Sequence, residues 1–482
     1  MTDESFLNSR LKVASLGMLS GLIPINAMRD MGYALMSFEL IFFVSTFMLL
    51  GVTLAIATRF SYLFYYVLAL FSYAVVDTNF LEHTKLNLAL ATISFFAFLL
   101  VFRIFKERTL PYIIVFSFVF MLLSLVRPVQ PVLSTFGEVV YSPDAPSTSI
   151  LHIVLDEMGS PYNVSYSPPA DHPVARMFAD YESWGFAVNS QVYSRYSSTI
   201  NSLSSIAALA PKKFTVFKQP PSAAYSYAIK NNSYFEMLAE RHYSVSVLQS
   251  SYLDHCIGSR KIKCDTYSRT GSGNAFGYSG FLERIRFTSG ALRGAFSGQH
   301  RPAIFFFAGV DRYISGRRPV LQSYVPIIAE GLLRKEVLTM AESIKPGHAY
   351  YVHALFPHFP YLFDAECNRI ALENVGLPQR HSSDHDNETA YRRYWDQVAC
   401  AHYLVEQIVR GTADKEFLTT IIHGDHGPRI YWQTKKENRD DQTKTFVAVR
   451  GPNIASGRID DEKLLQDVVI KYLQDFLETE AK

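Results

Sequence analysis

The sequence predicts an α-helical transmembrane domain followed by an α/β domain with a central, mostly parallel sheet. Three observations predict it. Apolar residues concentrate before about residue 130, in stretches approaching the roughly 20 residues a bilayer-spanning helix needs. Beyond residue 150, short β-branched runs alternate with amphipathic stretches, the pattern of a layered α/β domain. Three of those runs end abruptly in carboxylates or run on to imidazoles, and ligands gather at such strand ends in parallel sheets.

The membrane half comes first. Tyr33–Thr58, Tyr62–Val76, Leu86–Phe102 and Leu110–Leu125 read as spans. Val13–Met28 is shorter, carries Gly and Pro, and is flanked by Arg10, Lys12, Arg29 and Asp30. It reads either as a fifth span or as an interfacial helix. A cleaved signal peptide is not expected, because further apolar stretches follow at once. Arg59, Arg103, Lys106 and Arg108 mark the cytoplasmic loops, whereas the loop with Asp77, Glu82 and Lys85 faces outward. Five spans satisfy this rule throughout, and with four or five the C-terminal domain lies outside the cytoplasm. Residues 1–128 are thus the membrane domain, 129–149 a Pro/Ser/Thr-rich linker, and 150–482 the outer domain. A formal net charge of +2 on 482 residues gives no reason to expect a nucleic-acid partner.

In the outer domain Ile150–Leu155, Ser244–Leu248, Ala303–Phe307, Ala349–Leu355, Leu418–His423 and Thr445–Val449 are expected as buried strands. Val174–Ser183, Pro326–Ser343, Tyr391–Val409 and Glu462–Leu477 carry helical periodicity. Ser268–Gly280 is a Gly/Ser loop. Four cysteines in an exported domain suit disulfides, with Cys256 and Cys264 bracketing a short loop and Cys367 and Cys400 left as the other pair. None sits in a zinc-finger spacing.

The strand ILHIVL ends at Asp156-Glu157, YYVHAL runs on to His358, and LTTIIH ends at Asp425-His426-Gly427. Singly these are a helix cap, a turn histidine and a polar strand end. Together they hold the oxygen and nitrogen donors that Zn or Mn accepts. A helix is expected to start near Thr199 in SRYSSTINSLSSIAAL. A hydroxyl there is ordinarily an N-cap, but it also lies where free backbone N–H groups receive anions.

In their order, IVLDE, SSTINSLSSIAAL, YYVHALFPHFPY and IIHGDHGPR resemble the sulfatase-like branch of the alkaline phosphatase superfamily, over roughly Ile150 to Val449. With the spans ahead, the chain looks like the membrane-anchored transferases of that branch: phosphoethanolamine and phosphoglycerol transferases and lipoteichoic acid synthases. The resemblance implies an alkaline-phosphatase-like domain in which Asp156, Thr199, Asp425 and His426 hold one divalent ion, Zn or Mn ahead of Mg or Ca. It also implies Thr199 as nucleophile and His358 as binding the substrate or a second metal; His358 is taken as a second catalytic residue, and Glu157 and His353 are additional candidates. No CxPSR-like sequence is present to yield formylglycine, so sulfate-ester hydrolysis is less expected. The Asp-Glu motif leaves open whether Glu157 joins Asp156 as a ligand.

The leading reading is a bacterial inner-membrane enzyme with an extracytoplasmic catalytic domain. It would move a phospholipid head group, of the phosphoglycerol or phosphoethanolamine type, to an envelope glycan or lipid through a phospho-threonine. The alternatives are a phosphate- or sulfate-ester hydrolase of the same fold, and a non-catalytic partner in envelope polysaccharide assembly. The orientation can be checked directly: a periplasm-active reporter fused after Gly451 and a cytoplasm-active one at Lys106 should both be active. Activity only with the reporters exchanged would reverse the topology.

Overall fold

The computed structural model describes residues 3–30, 33, 37–58, 62–80, 86–126, 133–136, 143–162, 164–219, 226–257, 262–267, 285, 325–370, 384–430 and 441–479. The chain divides into two compact units. In the first, helices α1 (Asp3–Asp30), α2 (Phe38–Thr58), α3 (Leu63–Phe80), α4 (Leu86–Phe105) and α5 (Leu110–Val126) cover the expected apolar segments. Among the described residues one helix, α2, is long and apolar enough to cross a membrane by length and composition, and Leu63–Tyr73 is a shorter apolar helix. α1 extends well beyond Val13–Met28 and contains Pro24.

Close approach holds α1 to α2. A Cβ added at Gly51 would lie 2.2 Å from Ser20 Oγ and 2.5 Å from the Leu16 carbonyl oxygen, so only glycine fits. Ser20 Oγ uses that proximity to donate to the Phe47 carbonyl across the pair, at 2.7 Å. Large apolar side chains remain exposed on three helices of this unit, Leu49 at 66 %, Ile93 at 64 % and Val115 at 61 %. Water offers such faces nothing, whereas lipid accepts them.

The second unit is built on strands β1 (Leu133–Phe136), β2 (Ser149–Leu155), β3 (Ala187–Tyr193), β4 (Val216–Lys218), β5 (Tyr227–Ile229), β6 (Ser244–Ser250), β7 (Leu253–Asp254) and β8 (Lys263–Tyr267). These are followed by β9 (His348–Ala354), β10 (Leu418–Gly424), β11 (Lys444–Arg450), β12 (Gly457–Ile459) and β13 (Lys463–Leu464). Ten of them form one sheet in the order β1-β8-β6-β9-β2-β10-β11-β3-β12, with β13 also on β3. From β8 to β10 every pairing is parallel, while β1 and β11 pair antiparallel. Strands β4, β5 and β7 make a separate three-stranded sheet. The helices of this unit are α6 (Met177–Ser183), α7 (Thr199–Ala207), α8 (Ser233–Glu240), α9 (Val325–Leu332), α10 (Leu338–Ser343), α11 (Asp384–Arg410) and α12 (Leu465–Thr479). Leu333–Val337 joins α9 to α10 as a π-helical turn.

The expected strands that fall on described residues all form, because each is an apolar run buried in the sheet. β2 and β10 are buried at all seven positions. The expected strand Ala303–Phe307 and the loop Ser268–Gly280 lie outside the described residues. One reading is corrected: within the stretch expected as a linker, Leu133–Phe136 is a strand paired with Lys263–Tyr267. A four-residue edge strand is too short to show a period. β3 was not expected either, since Asn189, Ser190 and Gln191 interrupt its apolar character.

Two imidazoles meet inside the sheet. His152 on β2 and His423 on β10 approach at 2.8 Å between their Nε2 atoms, and both are fully buried. His423 Nδ1 donates to the Gly424 carbonyl at 3.0 Å, so its Nε2 accepts and His152 Nε2 donates. His152 Nδ1 is then an unprotonated acceptor, without a hydrogen-bond partner among the described residues. Burial holds His423 neutral, pushed down to about 4, while the Gly424 hydrogen bond opposes the shift. The unfolded chain therefore takes up a proton that the folded chain refuses, and stability is lost as pH falls from about 6.5 toward 4. Stability at pH 5 should be about 2 kcal/mol lower than at pH 7 through His423 alone. Denaturant unfolding at the two pH values checks this, and His423→Gln should flatten the dependence.

Candidate active site

Register creates the site. Leu155 on β2 pairs with Ala354 on β9 and with Gly424 on β10, so the three parallel strands end side by side. The residues just beyond two of those ends are Asp156 and Asp425, and His353 is the last but one residue of β9. Gly424 and Gly427 bracket the Asp-His pair for a steric reason. A Cβ at Gly424 would lie 2.1 Å from the Met158 carbonyl oxygen, and one at Gly427 would lie 2.0 Å from that of Asp441. Only glycine lets the backbone turn so tightly around Asp425 and His426.

Thr199 is the first residue of α7, and Ser198 precedes it in extended conformation with no side-chain cap. The Thr199 hydroxyl lies 3.2 Å from Asp156 Oδ2, 3.4 Å from Asp156 Oδ1 and 3.3 Å from His426 Nε2. Among the three neighbouring hydroxyls, Ser197 is exposed, Ser198 half-buried and Thr199 buried. Asp425 Oδ1 accepts from the backbone N–H groups of Glu157 at 3.0 Å and His426 at 2.9 Å. Its Oδ2 faces His426 Nε2 at 3.3 Å and has no hydrogen-bond partner. His426 Nδ1 donates to the Gly427 carbonyl at 2.8 Å, which leaves Nε2 unprotonated and directed at Thr199 and the carboxylates.

Beside this group lies a second one. Arg429 Nε donates to Glu157 Oε1 at 2.7 Å, and Arg429 Nη2 lies 2.9 Å from His358 Nε2. His358 Nε2 is itself 3.6 Å from Glu157 Oε1. Glu157 has a left-handed backbone, φ 63°, which costs about 1–3 kcal/mol for a non-glycine residue. The conformation is held from every side: its N–H bonds Asp425, its carbonyl accepts from Tyr394, and its side chain takes Arg429 and the Phe359 N–H. His353 is fully buried with both ring nitrogens unpartnered, and its Nε2 is 3.6 Å from Asp156 Oδ2, longer than a hydrogen bond.

Burial pushes Asp156 up, but neighbouring imidazole charge, that of His358 foremost, outweighs it and holds the carboxyl well below the usual range. Asp425 is pushed up, by burial and then by the charge on Asp156. Burial also raises Glu157, yet His358 and Arg429 bring it below its ordinary value. For Arg429, Glu157 and the two aspartates overcome burial and keep the guanidinium charged. Asp156, Asp425 and His426 form one cluster with metal-ligating geometry, and Asp156, Glu157 and His358 another. Two buried carboxylates, a free imidazole nitrogen, a hydroxyl and the orphaned Asp425 Oδ2 fit a divalent cation well. In the second cluster Arg429 already supplies the positive charge.

Every candidate residue named from the sequence is therefore described, and all but the cysteines surround Asp156. Cys256–Cys264 and Cys367–Cys400 are disulfides lying apart from the cluster in sequence. Arg429 was overlooked, although it stands in the quoted run IIHGDHGPR. An arginine just past a carboxylate-rich strand end is the signal that could have flagged it.

No protein-family model matches the chain, and no curated protein does. Solved structures similar to it include a 2-O GAG sulfatase, at 10% identity over 70% of this chain and 71% of that one, TM-score 0.42. The lipoteichoic acid synthase LtaP from Listeria monocytogenes aligns at 10% identity over 70% and 75%, TM-score 0.35. The lipooligosaccharide phosphoethanolamine transferase A from Neisseria meningitidis aligns at 11% identity over 98% and 84%, TM-score 0.35. The likeness to these structures is one of fold. At such scores these alignments do not bear on the chemistry, which rests on the residues themselves.

Zinc or manganese content offers a check on the cluster. Asp425→Asn removes the charge of the carboxylate with the orphaned oxygen and should lower metal bound per chain several-fold, about 1–2 kcal/mol in affinity or more. Elemental analysis of purified protein reads this. Equal metal in the variant would place the ion elsewhere.

Proposed function

We propose that this chain is a membrane-anchored phosphotransferase that passes a phospholipid head group to an envelope glycan or lipid by way of Thr199. The observation that carries the reading is the Thr199 hydroxyl, buried at the start of α7 and within 3.4 Å of both Asp156 oxygens and of His426 Nε2. An ordinary helix cap would turn its oxygen back onto its own helix. Here the hydroxyl turns outward to a carboxylate and an imidazole.

Asp156, Thr199, Asp425 and His426 are the residues that would hold the divalent ion. Once bound, that ion favours the ionised hydroxyl and offsets negative charge at the reacting oxygens. The chain's own groups then account for the steps. Thr199 Oγ, its proton released to solvent, attacks the head-group phosphorus while the bond to the diacylglycerol oxygen breaks. Free N–H groups at the start of α7 and the Arg429 guanidinium receive the phosphoryl oxygens. His358, 30 % exposed, can take a proton from solvent at Nε2 as Arg429 turns from it to the phosphoryl oxygens, and pass that proton to the leaving diacylglycerol. The acceptor hydroxyl then attacks the phospho-threonine, its proton passing to His358 and on to solvent, while the bond between Thr199 Oγ and phosphorus breaks and restores Thr199. Glu157 fixes Arg429 and His358 in place, and His353 adds a buried imidazole against Asp156.

A lipid donor requires a site held at a bilayer, and the apolar exposed helices of the first unit support that placement. On this reading residues 1–128 are a multi-pass domain of the bacterial inner membrane and the catalytic domain is extracytoplasmic. Thr199→Ala should reduce transfer by about three orders of magnitude or more while thermal stability stays near wild type. Wild type incubated with a headgroup-labelled phospholipid should carry label on the peptide containing Thr199, seen by mass spectrometry, and Thr199→Ala should carry none. Near-normal turnover in Thr199→Ala with a metal-loaded site would reduce Thr199 to a helix residue. Release of free phosphate with no acceptor product would make the chain a hydrolase.

A further inference from the structure

The segment Lys212-Lys213-Phe214-Thr215-Val216-Phe217-Lys218 follows α7 closely and has no part in the chemistry above. It runs into β4, which pairs with β5 in the small sheet. Phe214 is 49 % exposed and Phe217 40 %, a large apolar area left open to water on two neighbouring rings. They line a groove of about 460 Å³ together with Thr215, Val216, Lys230 and Asn231. Lys212, Lys213, Lys218 and Lys230 are exposed, and among the described residues none has an ion-pair partner.

The groove is tied to the nucleophile. The Phe214 ring packs edge-on against Tyr196 with centroids 5.0 Å apart, and Tyr196 is fixed by its hydroxyl donating to the Pro211 carbonyl. Tyr196 stands three residues before Thr199, a chain distance of at most about 11 Å. The groove is thus joined through Phe214 and Tyr196 to the segment that carries Thr199.

We propose that this groove is the acceptor subsite and takes an acidic glycan. The inference rests on the transferase reading and specifies its acceptor. Flat aromatic faces suit the C–H faces of sugar rings, while the Asn231 amide and the Lys230 ammonium offer polar contacts at the rim. Four unpaired ammonium groups complement carboxylate or phosphate groups spaced along a glycan chain. A bilayer surface also attracts aromatic and basic side chains. It would need rings standing proud of the surface, whereas these line a concavity and are each about half covered. The glycan fits better.

The test uses the full chain in nanodiscs and labelled hexagalacturonate as acidic probe, with maltohexaose as its neutral counterpart, read by fluorescence polarisation. Wild type and Thr199→Ala should bind the acidic probe alike, so binding is read apart from turnover. Phe214→Ala combined with Lys230→Gln should weaken it by about tenfold or more, the loss expected from a stacking face and one charge-assisted contact. Lys230→Gln alone, a surface change that leaves the fold intact, should weaken it by a smaller factor, and Phe214→Trp should retain it. Unchanged affinity in Lys230→Gln and in the double variant would overturn the subsite, as would absence of acidic-probe binding by wild type. So would hydrogen-exchange protection of residues 212–218 that follows phosphatidylglycerol in the nanodisc rather than the oligosaccharide. If transfer is never detected but the acidic probe binds as described, the transferase reading fails while the groove stands.

Discussion

Three parallel strands ending in register are the constraint on which the rest of the molecule depends. β9, β2 and β10 are hydrogen-bonded neighbours, and Ala354, Leu155 and Gly424 lie across from one another. A slip of one residue in either pairing would turn Asp156 or Asp425 to the opposite face of the sheet. The registers are enforced by burial on both faces: β2 and β10 have no exposed position at which a shift would go unpunished. Placing two carboxylates at adjacent strand ends is costly, because burial and mutual repulsion act together. A cation held among the residues proposed above would offset that cost.

The polar architecture around those ends is over-determined. Glu157 takes a left-handed backbone and is held by Asp425, Tyr394, Arg429 and Phe359. Gly424 and Gly427 allow carbonyl oxygens to approach where any side chain would collide. Ser202 on α7 donates to the Asp425 carbonyl at 2.8 Å, which ties the helix that begins at Thr199 to the strand that ends at Asp425. Most of the functional groups stand in short turns just past strand ends, and these hydrogen bonds and close approaches hold those turns to the sheet and to α7.

Much of this was legible in the sequence, and the reasons differ by element. ILHIVL, YYVHAL and LTTIIH are uninterrupted apolar runs, so their identity as buried strands and the common placement of their polar ends could be read directly. The start of α7 at Thr199 was readable from the change of polar into apolar period. β3 was not, because AVNSQVY buries polar side chains through tertiary contacts that no local pattern reports. β1 was hidden for the same reason, its pairing with β8 being made by residues far apart in the chain. The tie between Glu157, His358 and Arg429 was invisible because it joins three segments. Five helices lie where apolar segments were expected, yet only α2 meets the length and hydropathy of a span among the described residues.

The guanidinium of Arg429 has a consequence for what can enter. Asp156, Glu157 and Asp425 bring three negative charges when ionised, and Arg429 returns one. A divalent ion among the ligands proposed above would balance the other two. The cavity would then be neutral before substrate arrives. A phosphodiester, with its single charge, enters such a cavity at little electrostatic cost, whereas a monoester dianion must bring a second charge into a buried space with no cation left to meet it. On the proposed reading, charge count alone would favour lipid-borne diesters over soluble monoesters, independent of the shape of either.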